Sequence, residues 1–141
     1  MKLVYVVTCI LLLFRSVECE NMEMMAMFME NCQQKFPVTD DELNMIVTDQ
    51  TSNVRASDNL KCYAKCMLEH RGWVIEDDLV DDIFFTNYFH PSEFAKFENK
   101  IPPIVKECRL LVSADKCDRV FIVYHCYKDK LEKIMFPLKK H

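Results

Sequence analysis

The stretch Leu60-Lys61-Cys62-Tyr63-Ala64-Lys65-Cys66 decides how the rest of the chain is read. It lies in a run with a helix cap at Ser57 or Asp58, a helical body to about Arg71 and a terminator at Gly72. On a helix, Cys62 and Cys66 stand at i and i+4, one above the other on a single face. Both point toward neighbouring elements, so each must find a different partner rather than the other. A competing arrangement exists: with His70 at i+8, the same face offers three zinc ligands. The redox compartment and the other cysteines decide between them.

Working outward, the amino terminus speaks first. Lys2 precedes an apolar run from Leu3 to Phe14, interrupted only by Thr8, and the small residues Val17 and Cys19 come after it. This pattern predicts a secretory leader, residues 1–19, cleaved between Cys19 and Glu20. Twelve residues rising ~1.5 Å each span ~18 Å, too short for a bilayer core of ~30 Å. The expected mature chain, residues 20–141, is one domain. Cys9 and Cys19 leave with the leader, and Cys32, Cys62, Cys66, Cys108, Cys117 and Cys126 remain. An even count in a small exported chain favours disulfides over zinc. Six cysteines allow fifteen pairings. Excluding Cys62–Cys66 and also Cys117–Cys126, whose ~13 Å separation along one helix exceeds disulfide reach, leaves ten.

The composition narrows the class. Glycine occurs once, at Gly72, which removes glycine-rich phosphate loops and argues against a β-rich fold with tight primed turns. Without the leader the chain carries 16 basic and 21 acidic residues, net −5, which disfavours nucleic acid and anionic membranes as partners. No Asn-x-Ser/Thr site, Gly-x-Ser-x-Gly elbow or His-Glu-x-x-His motif occurs. None of His70, His90, His125 and His141 lies in a motif that places a nucleophile, so no catalytic residue, metal or cofactor is expected. The pairs Asp77-Asp78 and Asp81-Asp82 read as a solvated acidic face.

Helical spacing dominates the remainder. Met22, Met25, Phe28, Met29, Cys32 and Phe36 mark a first helix from Asn21 to Phe36, closed by Pro37. Thr39 and Glu42 form a capping box for a short helix through Val47, and a polar loop, Thr48–Ala56, comes next. After Gly72, Leu79, Val80, Ile83, Phe84 and Tyr88 predict a helix over Glu76–Phe89, and Pro91 opens another. Pro102 and Pro103 divide the next stretch into a helix ending near Lys100 and one over Ile104–Leu111. Ser113 or Asp115 caps a last helix from Lys116 to about Lys133, with an apolar tail from Ile134 to Leu138. The expected fold is all-α, six or seven short helices stapled by three disulfides.

The intervals between the six cysteines are 29, 3, 41, 8 and 8 residues. With Lys61-Cys62-Tyr63 in the third helix and Cys117-Asp118 opening the last, this resembles the six-cysteine insect odorant-binding proteins, from Cys32 to Cys126. The resemblance implies the pairs Cys32–Cys66, Cys62–Cys117 and Cys108–Cys126. It also implies an apolar cavity between the helices and a secreted carrier of small hydrophobic molecules such as odorants, pheromones or lipid-like ligands. A membrane chemoreceptor would be a further partner, and the protein would be a monomer or weak homodimer. Inward positions proposed for the ligand are Met25 and Phe28 on the first helix and Met67 on the third. Leu79, Ile83, Phe84 and Tyr88 supply the fourth. Val105 lies near Cys108, Phe121, Ile122 and Tyr124 come from the last helix, and Phe136 from the tail. Tyr88 and Tyr124 would offer hydroxyls to a polar ligand group. The tail is expected to cover the cavity, with His125 and His141 making that cover pH-sensitive. The alternative is a structural, signalling or defence protein whose core is filled.

Overall fold

The computed structural model describes residues 16–47 and 56–137, without the side chains of 16–20 and 47. Most of the expected leader, most of the polar loop, and Leu138 to His141 lie outside the described residues. Seven α-helices and one small hairpin are present among the described residues. Helix α1 is Ser16–Lys35, α2 Asp40–Val47 and α3 Asp58–His70. Strands β1 (Val74–Ile75) and β2 (Asp78–Leu79) precede α4 (Asp81–Tyr88). Helix α5 is Pro91–Phe97, a 3-10 turn covers Glu98–Lys100, and α6 is Ile101–Cys108. Helix α7, Lys116–Met135, has 20 residues and is therefore ~30 Å long.

Local chemistry explains most of these limits. Thr39 and Glu42 form the reciprocal capping box: Thr39 N–H donates to Glu42 Oε2 at 2.9 Å, and Glu42 N–H to Thr39 Oγ1 at 3.2 Å. Ser57 caps α3 by accepting from Leu60 N–H at 3.1 Å, and its own hydroxyl donates to Glu42, tying the two helix starts together. Gly72 ends α3 with φ +74°, which glycine adopts without a Cβ penalty. Asp115 caps α7 by accepting from Asp118 N–H at 2.7 Å. The paired prolines sit in the first turn of α6, where an N–H is not needed, so that helix starts at Ile101 rather than Ile104 and stops at Cys108.

The stretch read as one helix over Glu76–Phe89 starts differently. Val74 pairs with Leu79 and Ile75 with Asp78 in an antiparallel hairpin whose two turn residues, Glu76 and Asp77, have φ +52° and +62°. Both turn positions are left-handed, the signature of a primed turn made here without glycine. The helix begins only at Asp81.

All three disulfides join the expected pairs: Cys32–Cys66, Cys62–Cys117 and Cys108–Cys126. Cys62 and Cys66 thus send one face of α3 to α7 and α1 respectively, and no thiol is left for zinc among the described residues. Two cores result. A small one gathers Cys32, Val38, Leu60, Tyr63 and Cys66 between α1, α2 and α3. A larger one gathers Leu68, Val74, Leu79, Phe84, Phe85, Phe89, Ile104, Val120, Val123, Tyr127 and Leu131 between the hairpin and α4 to α7.

Candidate ligand-binding site

The larger core is built on α4 and α7. The spacing of Val120, Val123, Tyr127 and Leu131 puts them on one stripe of α7, and all four are buried. Phe84 meets this stripe fully buried, with ring centroids 5.7 Å from Trp73, 5.0 Å from Phe85, 5.4 Å from Tyr88, 5.7 Å from Tyr124 and 5.3 Å from Tyr127. Offset and edge-on pairs at these separations are favourable beyond the area they bury. Phe89 extends the cluster to Phe94 and Phe97 on α5. Half-buried residues rim it: Trp73, Tyr88, Val105, Ile122 and Tyr124, with Ile101 and Met135 beyond.

Six of the residues proposed from sequence, Leu79, Phe84, Tyr88, Val105, Ile122 and Tyr124, come together in or against this aromatic core. The other six lie apart from that group. Met67 packs against the smaller core. Phe28 stacks on His70 at 4.5 Å, and Met25 receives Arg71 Nη2 at 3.8 Å, both between α1 and α3. Phe121 packs on His125 at 4.3 Å, Ile83 is half-buried, and Phe136 comes after α7 with 53% exposure. The methionines of α1 turn mostly outward, with Met22, Met24, Met27 and Met29 exposed. Sequence reasoning passed over Trp73, Phe94, Phe97 and Ile101. The aromatic residues flanking Pro91, at 89, 94 and 97, are the pattern that marks the α5 contribution.

Ionic contacts lock the hairpin to this core: of the four aspartates read as a solvated acidic face, Asp77, Asp78 and Asp81 make ion pairs, while Asp78 and Asp82 stay exposed. Arg109 donates to Asp78 at 2.7 Å, to Asp81, and to the Leu79 carbonyl. Asp81 also accepts the buried Tyr127 hydroxyl at 2.6 Å. Burial, then Asp81, pushes the Tyr127 phenol well above its usual range. Burial pulls Arg109 down, but its hydrogen bonds to Asp81 and Asp78 outweigh this and hold the guanidinium charged. Asp77 is bridged by Lys116 and by Lys65, the latter at 2.6 Å, and its carboxyl is drawn down to about 2, first by Lys116 and then by Lys65. Lys61 and Asp118 pair at 2.7 Å beside the Cys62–Cys117 bridge, and that hydrogen bond lowers the Asp118 carboxyl.

Helical order, disulfide pairing and an aromatic interior define a small all-α fold stapled by three disulfides. The fold is similar to that of a fatty acid binding protein, OBP56a, from the oral disk of the blowfly Phormia regina. The TM-score is 0.59 at 17% identity, covering 81% of this chain and 94% of that one. No curated protein sequence matches the chain. The model of the PBP/GOBP family matches residues 15–130, and the chain belongs to that family of pheromone-binding and general odorant-binding proteins. It is a family of carriers for small hydrophobic ligands. Among the described residues no helix is long and apolar enough to cross a membrane.

Proposed function

We propose that this protein is a secreted carrier that takes up small hydrophobic molecules from aqueous extracellular fluid and holds them against the aromatic core. The observation that carries this reading is the set of half-buried apolar residues on the larger core, Trp73, Tyr88 and Tyr124 against Phe84 and Val105 and Ile122 beside them on the same cluster, in a disulfide-stapled fold. Tyr88 and Tyr124 each combine a ring with a hydroxyl, suited to a ligand with one polar end. Export is supported by the leader pattern of residues 1–19 and by the family. Delipidated protein should bind a fluorescent hydrophobic probe, and long-chain alcohols, esters and fatty acids should displace it with dissociation constants near micromolar, about −8 kcal/mol. No displacement below millimolar across such a panel would end this reading.

A filled-core protein with a structural, signalling or defence role is the second reading. It is favoured by one observation: Phe84, Tyr127 and Leu131 are fully buried at the centre of the larger core. The same probe separates the two, because a filled core takes up none.

A further inference from the structure

Away from the aromatic rim, a groove of about 770 Å³ opens between the hairpin, the segment after α6 and the first turns of α7. Its volume lies in the range of small-molecule pockets, ~300–1,000 Å³. Ile75, Leu79 and Val80 from the hairpin and the residue after it, and Leu111, Val112 and Val123 from the segment after α6 and from α7, supply its apolar lining. Ile75 is 54% and Val112 82% exposed, so the mouth is an apolar patch standing in water.

Two guanidinium groups face the groove, and they differ. Arg109 is committed to Asp78, Asp81 and the Leu79 carbonyl. Arg119 donates from Nη2 to the Asp77 carbonyl at 3.2 Å, while its buried Nε has no hydrogen-bond partner among the described residues. A buried charged donor without an acceptor is costly. The lining holds three carboxylates, Glu76, Asp78 and Asp81, against these two guanidiniums; Asp78 and Asp81 share Arg109, and Glu76 is exposed on the turn, where water screens its charge.

We propose that this groove is a second ligand site, for an anionic amphiphile whose alkyl chain lies on the apolar walls and whose carboxylate meets Arg119. A carboxylate is the acceptor that best matches a guanidinium, and it supplies the partner that Arg119 Nε lacks. Leu79 and Val123 at the floor of the groove also belong to the larger core, whereas Ile75, Val80, Leu111, Val112 and Arg119 do not, and it is these that distinguish the groove from the aromatic site.

The test uses the secreted chain with its disulfides intact, octanoate and octanol as probes, and methyl NMR of Val80, Leu111 and Val112, which line the groove outside the larger core, as the readout. Octanoate should shift these methyls at concentrations where octanol does not. Arg119→Gln should weaken octanoate about ten-fold or more. Val112→Asp, at an exposed position that leaves the core untouched, should weaken it as well, so the idea remains testable if Arg119→Gln folds poorly. Glu76→Gln, by removing a like charge, should strengthen octanoate about two-fold. Unmoved methyls, equal response to octanol, or unchanged affinity in both Arg119→Gln and Val112→Asp would overturn the assignment. Fluorescent-probe binding at the aromatic core, measured in the same variants, should not change, which keeps the two sites separate.

Discussion

The two cores hold their halves of the molecule by different means. Around α1 and α3 the buried apolar set has five members, two of them the bonded cysteines Cys32 and Cys66. Around α4 and α7 it includes a connected set of aromatic rings, and the hairpin is fastened to it by ion pairs as well. The first half therefore depends on a covalent link to keep a helix whose outward face is largely methionine. The second would keep its shape by packing. A long amphipathic helix stays docked only as firmly as the face it buries, and α1 buries little.

Substitution in the larger core should have the greatest effect. Phe84→Ala removes a ring touching five others, and chemical denaturation should show a loss of about 3–5 kcal/mol. A loss below ~1 kcal/mol would mean that the aromatic core is loosely packed and the contrast is false.

Removing disulfides one pair at a time comes next. Cys32–Cys66 spans 34 residues and Cys108–Cys126 spans 18, so chain entropy alone gives about 4 and about 3 kcal/mol. These are nearly equal, but their distribution should not be. Hydrogen exchange on Cys32→Ala/Cys66→Ala should show α1 losing protection while α7 keeps it. Cys108→Ala/Cys126→Ala should lower protection evenly across the larger core. Identical exchange patterns would break the comparison.

Acid sharpens it further. The Asp77 carboxyl titrates in the folded protein at about 2, below its ordinary value of about 4. Its contribution is therefore complete above pH ~4 and disappears as pH falls toward 2. Carbon-13 NMR of the Asp77 carboxyl should give a midpoint near 2. A midpoint near 4 would show that Lys116 and Lys65 do not hold it.

The smallest effect belongs to the turn. Glu76 has φ +52°, where glycine is at ease and glutamate is not. Glu76→Gly should raise stability by about 0.5–1 kcal/mol in thermal unfolding. A decrease would mean that the turn draws more from the glutamate side chain than it loses in backbone strain.

What could be read in the sequence was what neighbours along the chain determine. The box of Thr39 and Glu42, the caps at Ser57 and Asp115, the stop at Gly72 and the shared helix face of Cys62 and Cys66, which denies them to each other, all depend on residues a few positions apart. The hairpin did not show itself for the same reason. Leu79, Val80, Ile83 and Phe84 carry helical spacing, whereas the contacts that hold Asp77 in its turn come from Lys65, Lys116 and Arg119, between 12 and 42 residues away. Those contacts also make Asp77, one member of an acidic run read as solvated, a fastening, while Asp78 and Asp82 stay exposed. The aromatic site was half legible: α4 and α7 show their inward stripe as periodicity. The α5 contribution and the groove beside Arg119 depend on how separate elements meet. Met25 and Phe28 carry the right spacing, yet they face α3 rather than the aromatic core.

The order of the three bridges along the chain has a consequence for a protein meeting proteases. Their spans overlap, since 32–66 encloses Cys62, and 62–117 encloses both Cys66 and Cys108. Any single peptide-bond cut between Cys32 and Cys126 therefore falls inside at least one closed loop, and the two pieces stay joined. Traced along bonds rather than along the sequence, the path from Cys32 to Cys126 crosses to Cys66, steps back to Cys62, crosses to Cys117 and runs nine residues onward. The molecule is a covalent ladder. A nick leaves an open chain end but no detached fragment, and it takes more than one cleavage to dismantle the molecule.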